Sequence, residues 1–138
     1  MERTLFNKNG DVVAYITEDY HETIYLWDGF PVAYLYEERH VYGINGRHLG
    51  WFIDNIIFNH NGERIGFTSN SCPVNVAKEP IKPKKYPMDE IRPRWEVPTL
   101  PKLDFHFADQ DLADLLKEGQ VIWYSEEEPI QESEEPQE

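Results

Sequence analysis

The feature that most constrains this chain is a ten-residue pattern that recurs four times in its first half. Each copy runs aromatic, two variable residues, Asn or Asp, Gly, two variable residues, aliphatic, Ala or Gly, and aromatic. The copies read FNKNGDVVAY, YLWDGFPVAY, YGINGRHLGW and FNHNGERIGF. Repetition at this level indicates an architecture built from four similar units, and it leaves the chemistry of the protein open.

A tight turn is predicted at the centre of each copy. Asn-Gly and Asp-Gly pairs between apolar runs are typical of two-residue β-hairpins with a type I′ turn, because that turn needs positive φ at both central residues. The corner residues are Asn9, Gly10, Asp28, Gly29, Asn45, Gly46, Asn61 and Gly62. Each copy is therefore predicted to form one hairpin.

The turn position also predicts which side chains face each other across each hairpin. On one face an aromatic residue is expected opposite an aliphatic one, and the pairs are Phe6 with Val13, Tyr25 with Val32, Tyr42 with Leu49, and Phe58 with Ile65. On the other face a small residue is expected opposite an aliphatic one, and the pairs are Ala14 with Leu5, Ala33 with Ile24, Gly50 with Val41, and Gly66 with Ile57. The small residues predict close approach of another backbone or side chain, with β-bulges at the two glycines as the alternative.

The four hairpins predict an all-β fold. A lone hairpin is unstable in water, so the four must pack against one another. They could close around a pseudo-four-fold axis or run on as an eight-stranded meander. The similar spacing of the glycines (19, 17 and 16 residues) favours closure, which also removes exposed strand edges.

The repeats resemble a known family. The runs IYLWDGFPVAYL, VYGINGRHLGWF and IIFNHNGERIGF look like the bacterial 4-fold β-flower family, and the resemblance covers roughly residues 4–69. It implies four hairpins arranged as petals. The first copy departs most from the pattern, with a longer charged loop after it. The family has no established activity, so the resemblance implies no catalytic residue.

Composition divides the chain into four segments: the four-hairpin domain at residues 1–70, a proline-rich arm at 71–102, a helix and strand at 103–125, and an acidic tail at 126–138. Proline at this density favours extended conformations, and the recurring apolar residues suggest an arm that lies across a surface. A ligand for a polyproline-binding domain is the alternative. A helix is predicted at residues 109–119 with Asp109 as N-cap, a strand at 121–124, and disorder in the tail.

Charge and cysteine content limit the partners and the compartment. The net charge of −13 disfavours nucleic acid and anionic membranes as partners. Cys72 is the single cysteine, so no intrachain disulfide can form. The sequence shows no signal peptide and no apolar run of transmembrane length. We therefore expect a cytoplasmic protein without nucleic-acid or membrane partners.

No catalytic, cofactor-binding or metal-binding residue is predicted. The histidines His21, His40, His48, His60 and His106 show no metal-ligand spacing, and Cys72 has no companion cysteine. No phosphate-cradling glycine loop or nucleophile motif is present. The glycines are assigned to turns.

The expected function is therefore binding. The chain carries more aromatic side chains than hairpin turns require, and exposed aromatic residues are typical of interfaces. The interface candidates are Trp27, Phe30, Tyr36 and Trp95. The leading hypothesis is a non-enzymatic intracellular module that binds a protein partner or a second copy of itself. One alternative is a small acidic inhibitor or immunity-type protein that occludes a basic site. A third is an enzyme whose site forms only on folding.

Overall fold

The computed structural model describes residues 2–121. These residues form β1 Arg3–Phe6, β2 Val12–Ile16, β3 Thr23–Leu26, β4 Pro31–Tyr36, β5 His40–Gly43, β6 His48–Ile53, β7 Ile56–Phe58, β8 Arg64–Phe67 and α1 Leu112–Lys117. The predicted strand at 121–124, apart from its first residue, and the predicted acidic tail at 126–138 lie outside the described residues.

The eight strands close into an antiparallel barrel. Each strand pairs with the next one along the chain, and β8 returns to β1 through the pair Phe67 and Phe6. Closure gives every strand of the barrel two neighbours, and β1 and β8 meet at one residue pair. The predicted all-β fold of four hairpins around an axis is confirmed, and the open meander is excluded.

The turn type predicted for the four corners is wrong. At the first corner the amide of Gly10 donates to the carbonyl of Asn7, and the amide of Asn7 donates to the carbonyl of Asp11, both at 3.0 Å. Gly10 has a φ of +82°, whereas Asn9 is not among the residues with positive φ. This is a three-residue loop, a type I turn followed by a glycine in the left-handed region. It needs positive φ at one residue, and glycine supplies it.

The extra loop residue shifts the pairing by one beside each corner. Phe6 pairs with Val12 instead of Val13, after an irregularity between Leu5 and Phe6. The equivalent pairs are Tyr25 with Pro31, Tyr42 with His48, and Phe58 with Arg64. The four predicted aromatic–aliphatic pairs are therefore wrong. The pairs on the other face are as predicted, namely Leu5 with Ala14, Ile24 with Ala33, Val41 with Gly50, and Ile57 with Gly66.

The two-residue turn occurs between hairpins instead of within them. Asp54 and Asn55 join β6 to β7 with φ values of 53° and 64°, and Ile53 pairs with Ile56 across them. Positive φ at both central residues is the requirement of a type I′ turn. Aspartate and asparagine tolerate this region better than most residues, which suits them to the connection.

One face of the barrel points to its axis and carries the main core. A single buried cluster includes residues of all four hairpins, such as Leu5, Ile24, Val41 and Ile57. Side chains of four hairpins can meet only inside a closed barrel, so this is the inner face. Phe52 belongs to the inner cluster, whereas the opposite face carries most of the aromatic residues of the strands. They pack in rows around the outside, as in the stacked rings of Tyr15 and Tyr25, 5.7 Å apart.

Helix α1 contributes its apolar face to the same inner core. Leu112, Leu115 and Leu116 are buried in the cluster. A Cβ built on Gly66 would lie 2.9 Å from Cδ1 of Leu112, which confirms the predicted close contact at this small residue. The N-cap is Asp111, whose side chain accepts from the amide of Ala113, so the prediction of Asp109 is wrong. The helix is shorter than predicted because it begins after this cap and ends at Lys117, with Glu118 as its C-cap.

The segment between the barrel and α1 runs from one corner glycine to the next. The amides of Ala77, Tyr86, Trp95 and Asp104 donate to the carbonyls of Gly10, Gly29, Gly46 and Gly62, respectively, at 2.8–2.9 Å. The donors are nine residues apart (77, 86, 95, 104), so one extended segment meets four corners at equal intervals. We call residues 75–104 the strap. It is hydrogen-bonded to all four hairpins.

The strap explains why each corner has glycine. A Cβ on any of the four would collide with a strap carbonyl oxygen, and these oxygens belong to Asn75, Lys84, Pro93 and Lys102. Glycine is therefore required for its positive φ and also for the approach of the strap backbone. The second requirement comes from residues far away in the chain.

Candidate functional site

Two of the four predicted interface residues reach solvent. Phe30 is 37% exposed and Trp95 is 60% exposed. Trp27 and Tyr36 are half-buried on the outer face of the barrel. Of these four residues, Phe30 at the second corner and Trp95 at the third corner are the more available to a partner.

Cations of the strap cover the other two aromatic residues. Nζ of Lys82 lies 5.3 Å from the ring centre of Trp27. Cζ of Arg94 lies 3.8 Å from the ring centre of Tyr36. Cations over aromatic faces are attracted by the ring quadrupole. These contacts attach the strap to the barrel and cover part of both rings.

A stacked aromatic pair forms at the second corner. The rings of Phe30 and Tyr86 lie 4.1 Å apart and nearly parallel, at 5°. Phe30 follows Gly29 in the corner, and the amide of Tyr86 donates to the carbonyl of Gly29 at 2.9 Å. Barrel and strap thus each supply one ring. Tyr86 is 49% exposed, so the pair remains partly open to solvent.

A groove of about 410 Å³ lies beside the stacked pair. Its lining includes Phe30, Ile44, Tyr86, Met88, Asp89 and Val121. Apolar surface with a carboxylate beside it suits a large apolar group that has a positive charge nearby. We call this the second-corner groove.

Trp95 is positioned at the third corner in the same way as Tyr86 at the second. Its amide donates to the carbonyl of Gly46 at 2.8 Å, and its carbonyl accepts from the hydroxyl of Tyr42 at 2.7 Å. Cζ of Arg47 lies 5.7 Å from its ring centre. The backbone is held on both sides while the ring stays exposed.

Three histidines form a row on the outer face of the third and fourth hairpins. Nδ1 of His40 lies 3.2 Å from Nε2 of His48, and Nδ1 of His48 lies 3.0 Å from Nε2 of His60. The ring of His48 also packs edge-on to Trp51 and Tyr42, with centroids 4.8 and 5.0 Å away. The row arises because the shifted register pairs His48 with Tyr42 and His40 with Trp51.

The environment keeps this row neutral. The pKa of His48 is lowered to about 4, chiefly by burial and also by the neighbouring His60 and His40. Burial also lowers the pKa values of His40 and His60. Each nitrogen–nitrogen contact needs one N–H donor and one acceptor, which neutral imidazoles arranged head to tail provide. The row is a hydrogen-bonded support for the outer face at neutral pH.

The row does not converge on a point that could hold a metal. Its nitrogens face one another in sequence, and among residues 2–121 no three His, Cys, Asp or Glu side chains are grouped as metal ligands. Sγ of Cys72 lies 3.6 Å from the carbonyl oxygen of Asn7. This position gives the thiol a backbone carbonyl as its hydrogen-bond acceptor.

The carboxylates at the turns accept hydrogen bonds from groups of their own corners. Oδ2 of Asp11 accepts from Nδ2 of Asn7 at 3.3 Å, and Oε1 of Glu63 accepts from Nδ2 of Asn59 at 3.0 Å. Oδ1 of Asp28 accepts from the amide of Phe30 at 3.2 Å. These acids stabilise their own loops, and these hydrogen bonds explain why acidic residues occur at the turns.

Tyr86 and the histidine row were not predicted from the sequence. A signal for Tyr86 exists, because it stands nine residues before Trp95 and both lie in the proline-rich segment. The nine-residue interval can be interpreted only when the distances between neighbouring corners in the folded barrel are known. The histidine row has no such signal, since its contacts depend on the one-residue shift beside the third corner.

Comparison with known proteins identifies the family. The family model described as 4-fold beta flower protein matches residues 3–116, which is 114 of the 138 residues. The match includes the strap and most of α1 as well as the repeats. No curated protein and no solved structure matches the chain. Within residues 2–121, no helix has the length and apolar character needed to cross a bilayer.

Proposed function

This chain belongs to the 4-fold beta flower family, and from that premise we propose that it is a non-enzymatic module that binds a protein partner. The proposed contact surface is the second-corner groove with the stacked rings of Phe30 and Tyr86. The partner would present a large apolar side chain beside a lysine or arginine. The observation that carries the proposal is the exposed, parallel ring pair at 4.1 Å on the rim of the groove.

The ring pair has the properties of a binding hot spot. Aromatic residues supply large contact areas and dominate many interfaces. Hydrogen bonding of Tyr86 to Gly29 holds the strap ring in place before any partner arrives. A preformed surface loses less conformational freedom on binding, which raises affinity.

The charge around the groove favours a basic partner residue. Asp89 lines the groove, and the whole chain has a net charge of −13. Oδ1 of Asp89 lies 4.0 Å from Nη2 of Arg92, so a cation of the partner would share this carboxylate with Arg92. Long-range attraction between opposite charges accelerates encounter, and a nearby carboxylate adds specificity. This supports a partner with a cation next to its apolar anchor.

The polar groups of the outer face support a binding role over catalysis. The imidazoles of His40, His48 and His60 have one another as hydrogen-bonding partners. A general base needs its nitrogen directed at a substrate proton or a nucleophile. The histidine row holds the outer face together, next to the surface proposed for binding.

Site-specific photocrosslinking in cells that make the protein tests this function. A benzophenone amino acid replaces Phe30 in one variant and Tyr20, which is 96% exposed, in the control variant. The expected result is a discrete protein adduct at position 30 that is absent at position 20. Excess wild-type protein without the benzophenone should reduce the yield of this adduct several-fold more than an equal excess of the Tyr86→Ala variant does.

Other outcomes distinguish the alternatives. Equal adducts at both positions, or none at position 30, would overturn the proposal. A benzophenone at Ile130 that captures a basic protein only at low salt would favour the acidic inhibitor, because exposed ion pairs are screened by salt.

A further inference from the structure

We propose that the partner of the second-corner groove is a second copy of this chain, which inserts the ring of Phe105 into the groove. Phe105 follows Asp104, the residue whose amide is bonded to the carbonyl of Gly62 at the fourth corner. This inference rests on the proposed function, because it names the partner of the same surface.

Phe105 is an aromatic side chain that the fold leaves in water. It is 82% exposed, and the corresponding residues after the other three strap donors are Lys78, Pro87 and Glu96. The fourth corner alone therefore carries an aromatic ring at this position. Exposed aromatic rings are frequent anchors of protein interfaces, because contact removes a large apolar area from water.

A cation accompanies this ring. Cζ of Arg64 lies 4.7 Å from the ring centre of Phe105. Among residues 2–121, no carboxylate forms an ion pair with Arg64. The lining of the groove includes the carboxylate of Asp89, which is shared with Arg92 at 4.0 Å. Phe105 with Arg64 thus matches the large apolar group with a positive charge that the groove suits.

Two other exposed apolar residues match the groove less well. Trp95 has Arg47 over its ring, but Nη2 of Arg47 lies 3.8 Å from Oε1 of Glu118, so this charge is already paired. Ile81 is 95% exposed, but it has no aromatic ring. Aromatic pairs gain from ring contacts beyond their area of burial, which favours Phe105 as the anchor.

The backbone around Phe105 is fixed before any contact. The amide of Arg64 donates to the carbonyl of His106 at 2.9 Å, and the amide of Ala108 donates to the carbonyl of Arg64 at 2.8 Å. Together with the strap bond at Asp104, these bonds hold the chain on both sides of the ring. Only the side chain loses freedom on docking, so ordering takes little from the affinity.

The groove has room for a phenyl ring. Its volume is about 410 Å³, within the range of ~300–1,000 Å³ that is typical of ligand sites. The rings of Phe30 and Tyr86 lie on its lining and offer edges and faces to a third ring. Docking therefore completes a cluster of three rings, two from one copy and one from the next.

The groove and the anchor lie on opposite sides of one copy. The hairpins follow one another around the closed barrel, so the second and fourth hairpins lie across its axis from each other. Phe105 is held at the fourth corner, so it docks on another copy. The two surfaces differ, and a copy that lacks one of them can still supply the other.

Complementation between two variants of the full chain tests the proposal. Phe105→Ser removes the anchor, and Tyr86→Ala removes one ring of the groove; both residues are exposed, and circular dichroism checks the fold. In sedimentation equilibrium, we expect the wild type to self-associate and each variant alone to do so several-fold more weakly. An equimolar mixture should associate again and stop at two chains, because only one intact groove and one intact anchor remain.

The matched control is Tyr20→Ser, which removes a ring that is 96% exposed and does not line the groove. It should associate as the wild type does. If Tyr86→Ala loses its fold, Phe30→Ala replaces it as the groove variant. A monomeric wild type, a mixture that stays monomeric, or equal weakening by Tyr20→Ser would each overturn the second copy as partner.

The proposed function can fail separately from this inference. A monomeric wild type whose adduct at position 30 contains another protein would overturn self-association and leave the proposed function intact. Restored association of the mixture, without any adduct at position 30 in cells, would support the contact between copies and overturn the proposed function.

Discussion

The amide of Trp95 donates a hydrogen bond to the carbonyl of Gly46, 49 residues earlier in the chain, at 2.8 Å. This bond is one of four equivalent links between the strap and the barrel corners. At the same corner, a Cβ on Gly46 would meet the carbonyl oxygen of Pro93. The backbone conformation of the third corner and the position of the strap therefore depend on each other.

Replacement of Gly46 should destabilise the whole domain. Gly46 has a φ of +95°, so Gly46→Ala adds backbone strain and displaces the strap. We expect the free energy of unfolding to fall by about 2–3 kcal/mol in urea titrations. Thr99→Ala, at an exposed strap position, is the matched control and should change it by less than about 0.5 kcal/mol. Equal stability of the two variants would show that the corner does not need glycine.

Hydrogen exchange should reveal the nine-residue interval. The amides of Ala77, Tyr86, Trp95 and Asp104 are bonded to the corner carbonyls. They should exchange at least about tenfold more slowly than those of the exposed Lys78 and Glu96, a factor that corresponds to ~1.4 kcal/mol of protection. Nuclear magnetic resonance with residue resolution checks this. Uniformly fast exchange along residues 75–104 would contradict the strap.

Acid should destabilise the protein through His48. The pKa of His48 is lowered from 6.5 to about 4 in the folded state, chiefly by burial. Above pH 6.5 the ring is neutral in both states, so it contributes no pH dependence. As the pH falls from 6.5 to 4, only the unfolded chain takes up this proton, and stability should drop by about 3 kcal/mol.

The variant His48→Gln isolates this effect. Glutamine has an amide that can donate and accept, and it does not titrate. The slope of stability against pH between 4 and 6.5 should become flatter than in the wild type, measured by urea denaturation at several pH values. An unchanged slope would assign the acid sensitivity to other groups.

Truncation of Leu112 should test how α1 supports the barrel. Leu112 is fully buried and touches the backbone at Gly66. Leu112→Ala should lower the unfolding free energy by about 2–5 kcal/mol, since it leaves a cavity in the inner core. Lys117→Ala, on the exposed side of the same helix, controls for helix propensity and should have little effect. Thermal unfolding followed by circular dichroism compares the two.

Local sequence was sufficient to predict the hairpins. Asn9-Gly10 and its three counterparts mark reversals because glycine alone accepts positive φ at low cost. The alternation of side chains then predicts that Leu5 faces Ala14. The turn type was not predictable from these residues, since Asn-Gly fits both a type I′ turn and a type I turn that ends in a left-handed glycine.

The sites depend on contacts that local sequence does not record. The strap binds the corners through backbone amides, so the four donors share no side chain and appear as Ala, Tyr, Trp and Asp. Phe30 meets Tyr86 only because the strap crosses the second corner there. His48 meets His60 because β6 pairs with β7, which places the third and fourth hairpins side by side.

By itself, the sequence determined where the chain reverses and which residues are apolar enough to form the core, because both follow from the preferences of individual residues. The tertiary structure alone decided the path of the strap, the stacked pair at the groove and the neutral histidine row. The strap and the stacked pair join groups far apart in the chain, and the histidine row joins two neighbouring hairpins. The energies of these contacts exist only after folding brings the groups together.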